Sequence, residues 1–156
     1  MKALILGVIF LISAVTERAV SEESPPLQVD FEDWKAGPLQ PESLVEGFGR
    51  LQWHDLNGRA AIVKNKSSKN GRVFETSYPA GGHGAKRSGA SFVSTLPESE
   101  IYYLTYKLRF SEAFPYNKGG KLPGLSSHGS NFTGGRNPNE EGGWSARYMW
   151  RKKGEL

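Results

Sequence analysis

The run IYYLTYKLRF, residues 101–110, places Tyr102, Leu104, Tyr106, Leu108 and Phe110 on one side of an extended chain and Tyr103, Thr105, Lys107 and Arg109 on the other. Successive strand side chains point to opposite faces, so this alternation predicts a strand with one buried face and one polar, cationic face. The segment WSARYMWR (144–151) follows the same arithmetic: Trp144, Ala146, Tyr148 and Trp150 fall together, opposite Ser145, Arg147, Met149 and Arg151. The aromatic set is expected to anchor this strand in the interior, holding a hydroxyl and two guanidinium groups at fixed spacing on the accessible side. The simpler alternative is that these cations form the solvated face of an antiparallel sheet.

Period-two segments punctuated by Gly and Pro run through the rest of the chain, and hardly any helical stripe interrupts them. Candidate strands are 28–34, 50–54, 60–64, 72–78, 90–96, 101–110, 119–126 and 144–151. This pattern predicts an all-β sandwich with little helix. At 156 residues the chain suits one domain. Cysteine is absent, so core burial alone must hold the fold.

Met1 and Lys2 precede the apolar run ALILGVIFLISAV, and Ala19-Val20-Ser21 supplies a small-residue cleavage pattern. Residues 1–21 therefore read as a secretory leader. The competing reading, an uncleaved membrane anchor, would ordinarily need roughly 20 apolar residues. The expected mature protein spans 22–156, is secreted, acts as a monomer and has no membrane association. Removing Lys2, Arg18 and Glu17 from 20 basic and 16 acidic residues leaves 18 and 15, a net charge of +3. A modest, dispersed positive excess suits an anionic extracellular polymer better than nucleic acid, whose binders concentrate Lys and Arg. Asn65-Lys66-Ser67 and Asn131-Phe132-Thr133 fit the glycosylation sequon, which matters only in a host that glycosylates.

Within 119–126, GGKLPGLS, glycines permit close backbone approach and Pro123 implies an edge or a bulge. Lys121 projects from this strand, although most lysines are simply exposed. YYLTYKLRFSEAFPYNKGGKLPGL, then GGRNPNEEGGWSARYMWR, together with FEDW, YPAGGHGAKRSGASF and LPESEIYYL upstream, resembles polysaccharide lyase family 14, the alginate and glucuronan lyases. The resemblance covers most of the mature chain. It implies a β-jelly-roll domain over 22–156 and β-elimination across the 4-O-glycosidic bond of a uronic-acid polymer. Its functional groups carry over as Lys121, Ser145 and Arg147, with Lys107, Arg109, His128 and Arg151 as substrate-binding candidates. The family's proton-transfer tyrosines lie on a strand after the S-x-R motif, which this resemblance places beyond Leu156. The jelly roll is accordingly expected to be incomplete at its C-terminal end, with strands missing and the fragment inactive or unstable by itself.

Other chemistries are weaker. His83 and His128 lie in Gly-rich loops and are rival bases, each more simply an exposed loop histidine. Ser145 lacks a G-x-S-x-G elbow, which argues against a hydrolase nucleophile. Asn137, Asn139, Glu140 and Glu141 could offer oxygens to calcium, but without EF-hand spacing no metal or other cofactor is assigned. The competing function is a non-catalytic carbohydrate-binding jelly roll that holds an acidic polysaccharide on the same face. A structural matrix protein is a third possibility.

Overall fold

A computed structural model describes residues 2–4, 11–14, 26–65, 71–84, 86–127 and 143–155. The described chain is antiparallel all-β with one short α-helix, and it divides into two compact units, Met1–Phe114 and Pro115–Leu156.

In the first unit, β1 (Lys2–Leu4), β3 (Gly37–Pro38), β5 (Ala60–Lys64) and β6 (Arg72–Ser77) form a sheet in the order β1-β6-β5-β3. Two further pairs join β2 (Leu11–Ala14) to β8 (Tyr102–Thr105) and β4 (Leu51–Asp55) to β7 (Ser91–Ser94). Residues 2–4 and 11–14, inside the predicted leader, thus pair with β6 and β8. In the β5–β6 pair, Ala60 lies opposite Thr76 and Ile62 opposite Phe74, so these four side chains share a face. All four are buried, and Ala60, Ile62 and Phe74 belong to the main hydrophobic core.

The helix α1 (Pro41–Phe48) was not expected from the sequence. Pro41 opens it without the loss of an intrahelical bond. Leu44 and Phe48, one turn apart, are its buried residues, and the N–H of Gly49, at φ 75°, closes the last turn on the Val45 carbonyl at 2.9 Å.

The predicted strand 28–34 is instead a turn around Phe31, whose φ is 63°. The left-handed backbone costs a non-glycine residue about 1–2 kcal/mol. Burying a phenylalanine recovers about 1.5–3 kcal/mol, and Phe31, 2 % exposed, also has Trp34 at 5.0 Å and Phe74 at 5.7 Å between ring centroids. Tertiary packing therefore outweighs the local preference. Arg72 fixes the turn from β6, donating through Nη1 to the carbonyls of Trp34 at 2.6 Å and Glu32 at 3.5 Å.

The burial alternation of 101–110 holds throughout: Tyr102, Leu104, Tyr106, Leu108 and Phe110 are half-buried, while Tyr103, Thr105, Lys107 and Arg109 are exposed. Ladder pairing is shorter than this alternation, covering only 102–105. Among the described residues no helix is long and apolar enough to cross a membrane.

Candidate functional site

The second unit is built on β9 (Gly120–Ser126) and β10 (Ser145–Trp150), paired antiparallel. Ser145, Ala146 and Arg147 face Ser126, Leu125 and Gly124; after a break in register, Met149 faces Lys121 and Trp150 faces Gly120. Two β9 residues, Leu122 and Pro123, therefore stand against the single β10 residue Tyr148, which is a β-bulge.

Directly opposed residues share a face, and alternation along β10 puts Ser145, Arg147 and Met149 together. Lys121, opposite Met149, joins them. The accessibility along β9 follows the same geometry: Lys121 is exposed, Leu122 and Pro123 are half-buried, and Gly124 is exposed. The Lys121 ammonium is held below the usual lysine range, first by partial desolvation and then by the positive charge of Arg147. Lys121 and Arg147 are thus near enough to repel one another, with the Ser145 hydroxyl on the same face.

The opposite face departs from expectation. Trp144 and Tyr148 were expected to be buried with Trp150, yet they are 48 % and 69 % exposed, and Ala146 is exposed as well. Only Trp150, at 4 %, is buried. The difference is local: Gly120 has no side chain opposite Trp150, so the indole lies over its backbone and Nε1 donates to the Lys118 carbonyl at 3.1 Å. Tyr148 meets the bulge instead, and Trp144 meets Ser127, whose Oγ accepts the Trp144 N–H at 2.9 Å. Neither position offers such a slot.

The remaining candidates are placed as follows. Lys107 and Arg109 are exposed and belong to the first unit. Arg151 follows β10, exposed, and its N–H donates to the Glu155 carbonyl at 2.7 Å. His128, Asn137, Asn139, Glu140 and Glu141 lie outside the described residues. His83 is exposed, with Arg87 Nη2 at 2.8 Å from its Nε2 and 3.2 Å from its Nδ1. Among the described residues no three His, Asp or Glu side chains converge as a metal set.

Gly124 was not singled out by the sequence reasoning, although GGKLPGL carries the signal. A Cβ built on Gly124 would fall 2.3 Å from the Ala146 carbonyl oxygen and 2.4 Å from the Arg147 Cβ, so the two strands approach closely beside the guanidinium.

Residues 66–156, more than half of the chain, match the family model described as Polysaccharide lyase 14. No curated protein and no solved structure matches the chain.

Proposed function

The chain belongs to polysaccharide lyase family 14, and from that premise we propose that it cleaves a 4-linked uronic-acid polymer, alginate or glucuronan, by β-elimination. In this reading Lys121, Ser145 and Arg147 receive the uronate carboxylate. The supporting observation is the like-charge pair: Lys121 and Arg147 stand on one face, and the Lys121 ammonium is held below the usual lysine range first by partial desolvation and then by the charge of Arg147. An anion between them relieves that repulsion.

The chemistry explains why this matters. Elimination removes the proton from C5, forms the C4=C5 double bond and breaks the C4–O bond, with a proton delivered to the leaving oxygen. The C5 proton is a poor acid while the neighbouring carboxylate keeps its charge, because abstraction builds further negative charge beside it. Arg147 offers a planar fork for bidentate contact and Lys121 a point charge, so both stabilise the transition state more than the ground state. The Ser145 hydroxyl can donate to the same carboxylate. Tyr78 is unsuited as a base near neutrality, since burial pushes its hydroxyl up to about 12. We propose a secreted, extracellular site of action, on the strength of the leader pattern at 1–21.

The test is the ultraviolet absorbance of the unsaturated uronate, followed when the protein at its full natural length meets alginate or glucuronan. A rise in absorbance with chain shortening is expected. New reducing ends without that absorbance would show hydrolysis and overturn the lyase reading, and tight polymer binding with no cleavage would favour a carbohydrate-binding module.

A further inference from the structure

Strand alternation by itself puts Lys121 on the wrong side. It lies three positions before Gly124, and an odd spacing in a regular strand sends two side chains to opposite faces. Gly124 lies opposite Arg147, so an unbroken β9 would turn Lys121 away from Arg147 and Ser145. The register break removes that conflict, because Leu122 and Pro123 together count as one position against Tyr148. The sequence is suited to this break. Proline has no N–H to leave unpaired where the ladder is interrupted, and Gly124 lets β10 close in again immediately afterwards, where a Cβ would strike the backbone of Ala146 and Arg147.

We propose that the bulge at Leu122–Pro123 is the positioning device of this site: by absorbing one extra residue, Pro123, it sets the Lys121 ammonium on the face of Ser145 and Arg147, with Gly124 admitting β10 beside it. This deepens the lyase reading and rests on it for its catalytic meaning, but the geometry can be tested separately.

Two variants separate the device from general structural importance. Deleting Pro123 removes the bulge yet leaves Leu122 opposite Tyr148 and Lys121 opposite Met149, so Lys121 keeps its face. Exchanging neighbours, Lys121→Leu with Leu122→Lys, retains the composition and moves the ammonium to the other face. Lysine side-chain titration by NMR on the full chain, with and without Arg147→Gln, reads the contact directly. In the wild type Lys121 should titrate below the other exposed lysines and move up when Arg147 is replaced. The deletion should preserve that response, and in the exchange variant the lysine at 122 should be indifferent to Arg147. In turnover, the exchange should lose on the order of 10²-fold or more in kcat, as for removal of a charge-stabilising group, with a smaller change in KM; the deletion should stay within about tenfold, well short of that loss.

A folded deletion variant whose Lys121 no longer responds to Arg147 would overturn the proposal. So would an exchange variant whose lysine at 122 titrates low and responds to Arg147, since a regular strand predicts that result. If the deletion does not fold, the exchange decides. Absence of eliminative activity in the wild type would sink the lyase reading, whereas the titration would still decide the role of the bulge.

Discussion

Tyr78, half-buried outside the main hydrophobic core, provides a quantitative test of packing in the first unit. Its ring stands edge-on to Phe114, with centroids 5.4 Å apart and planes at 88°, and a Cβ on Gly89 would fall 3.0 Å from the same ring. Burial raises the hydroxyl from 10.0 to about 12, because the phenolate is poorly solvated there. A raised folded value means that the native state retains the proton longer than the unfolded chain. The associated stability is therefore fully present below pH 10 and is lost as pH rises through about 12. At ~1.4 kcal/mol per pH unit, the whole interval corresponds to about 3 kcal/mol. Urea denaturation from pH 8 to 12, on wild type and Tyr78→Phe, isolates the effect, since all other titrating groups are common to both. Between pH 8 and 12 the wild type should lose about 2 kcal/mol more than the variant, the remainder following above pH 12 because the folded-state hydroxyl is only half ionised there, whatever offset the lost hydroxyl causes at neutral pH. Parallel stability curves, or an absorbance titration showing that Tyr78 ionises with the exposed tyrosines, would refute the argument.

Two further outcomes concern the second unit. Arg147→Lys keeps the charge but loses the planar fork, so turnover should fall more than polymer affinity when both are measured at one ionic strength; near wild-type turnover would remove Arg147 from the mechanism. Gly120→Ala would place a Cβ 2.0 Å from the Trp150 indole, and displacing the ring should cost about 1–3 kcal/mol, seen as a lower melting temperature and red-shifted tryptophan fluorescence. An unchanged melt and spectrum would mean that the ring does not occupy this slot.

Sequence pattern was most informative where neighbouring residues alone decide the outcome. Strand 60–64 was read with its observed bounds, and every exposed or half-buried position in 101–110 followed from period two. The α1 helix escaped because eight residues hold only two buried positions, Leu44 and Phe48, although Pro41 and Gly49 marked its ends. VDFEDW imitates an alternating strand, but its turn depends on Phe48, Phe74 and Arg72, which no local window contains. Aromatic character led to the expectation that Trp144 and Tyr148 are core; burial there depends on whether the partner strand offers a gap, as Gly120 does for Trp150. Pro123 did signal a bulge. Its effect on Lys121 needed the register, since a bulge's location in the ladder determines which residues change face.

The turn at Phe31 also constrains the order in which the chain can assemble. Residues 31–34 leave the ribosome well before their partners, and the carbonyls of Glu32 and Trp34 are bound by an arginine 40 and 38 positions downstream. Until Arg72 and Phe74 emerge, the left-handed backbone at Phe31 lacks the contacts that offset its cost. The β5–β6 hairpin joins neighbouring segments and needs only a short loop closure. During synthesis the earlier stretch must therefore wait in other conformations, and it acquires its native shape only when the later hairpin arrives as its template.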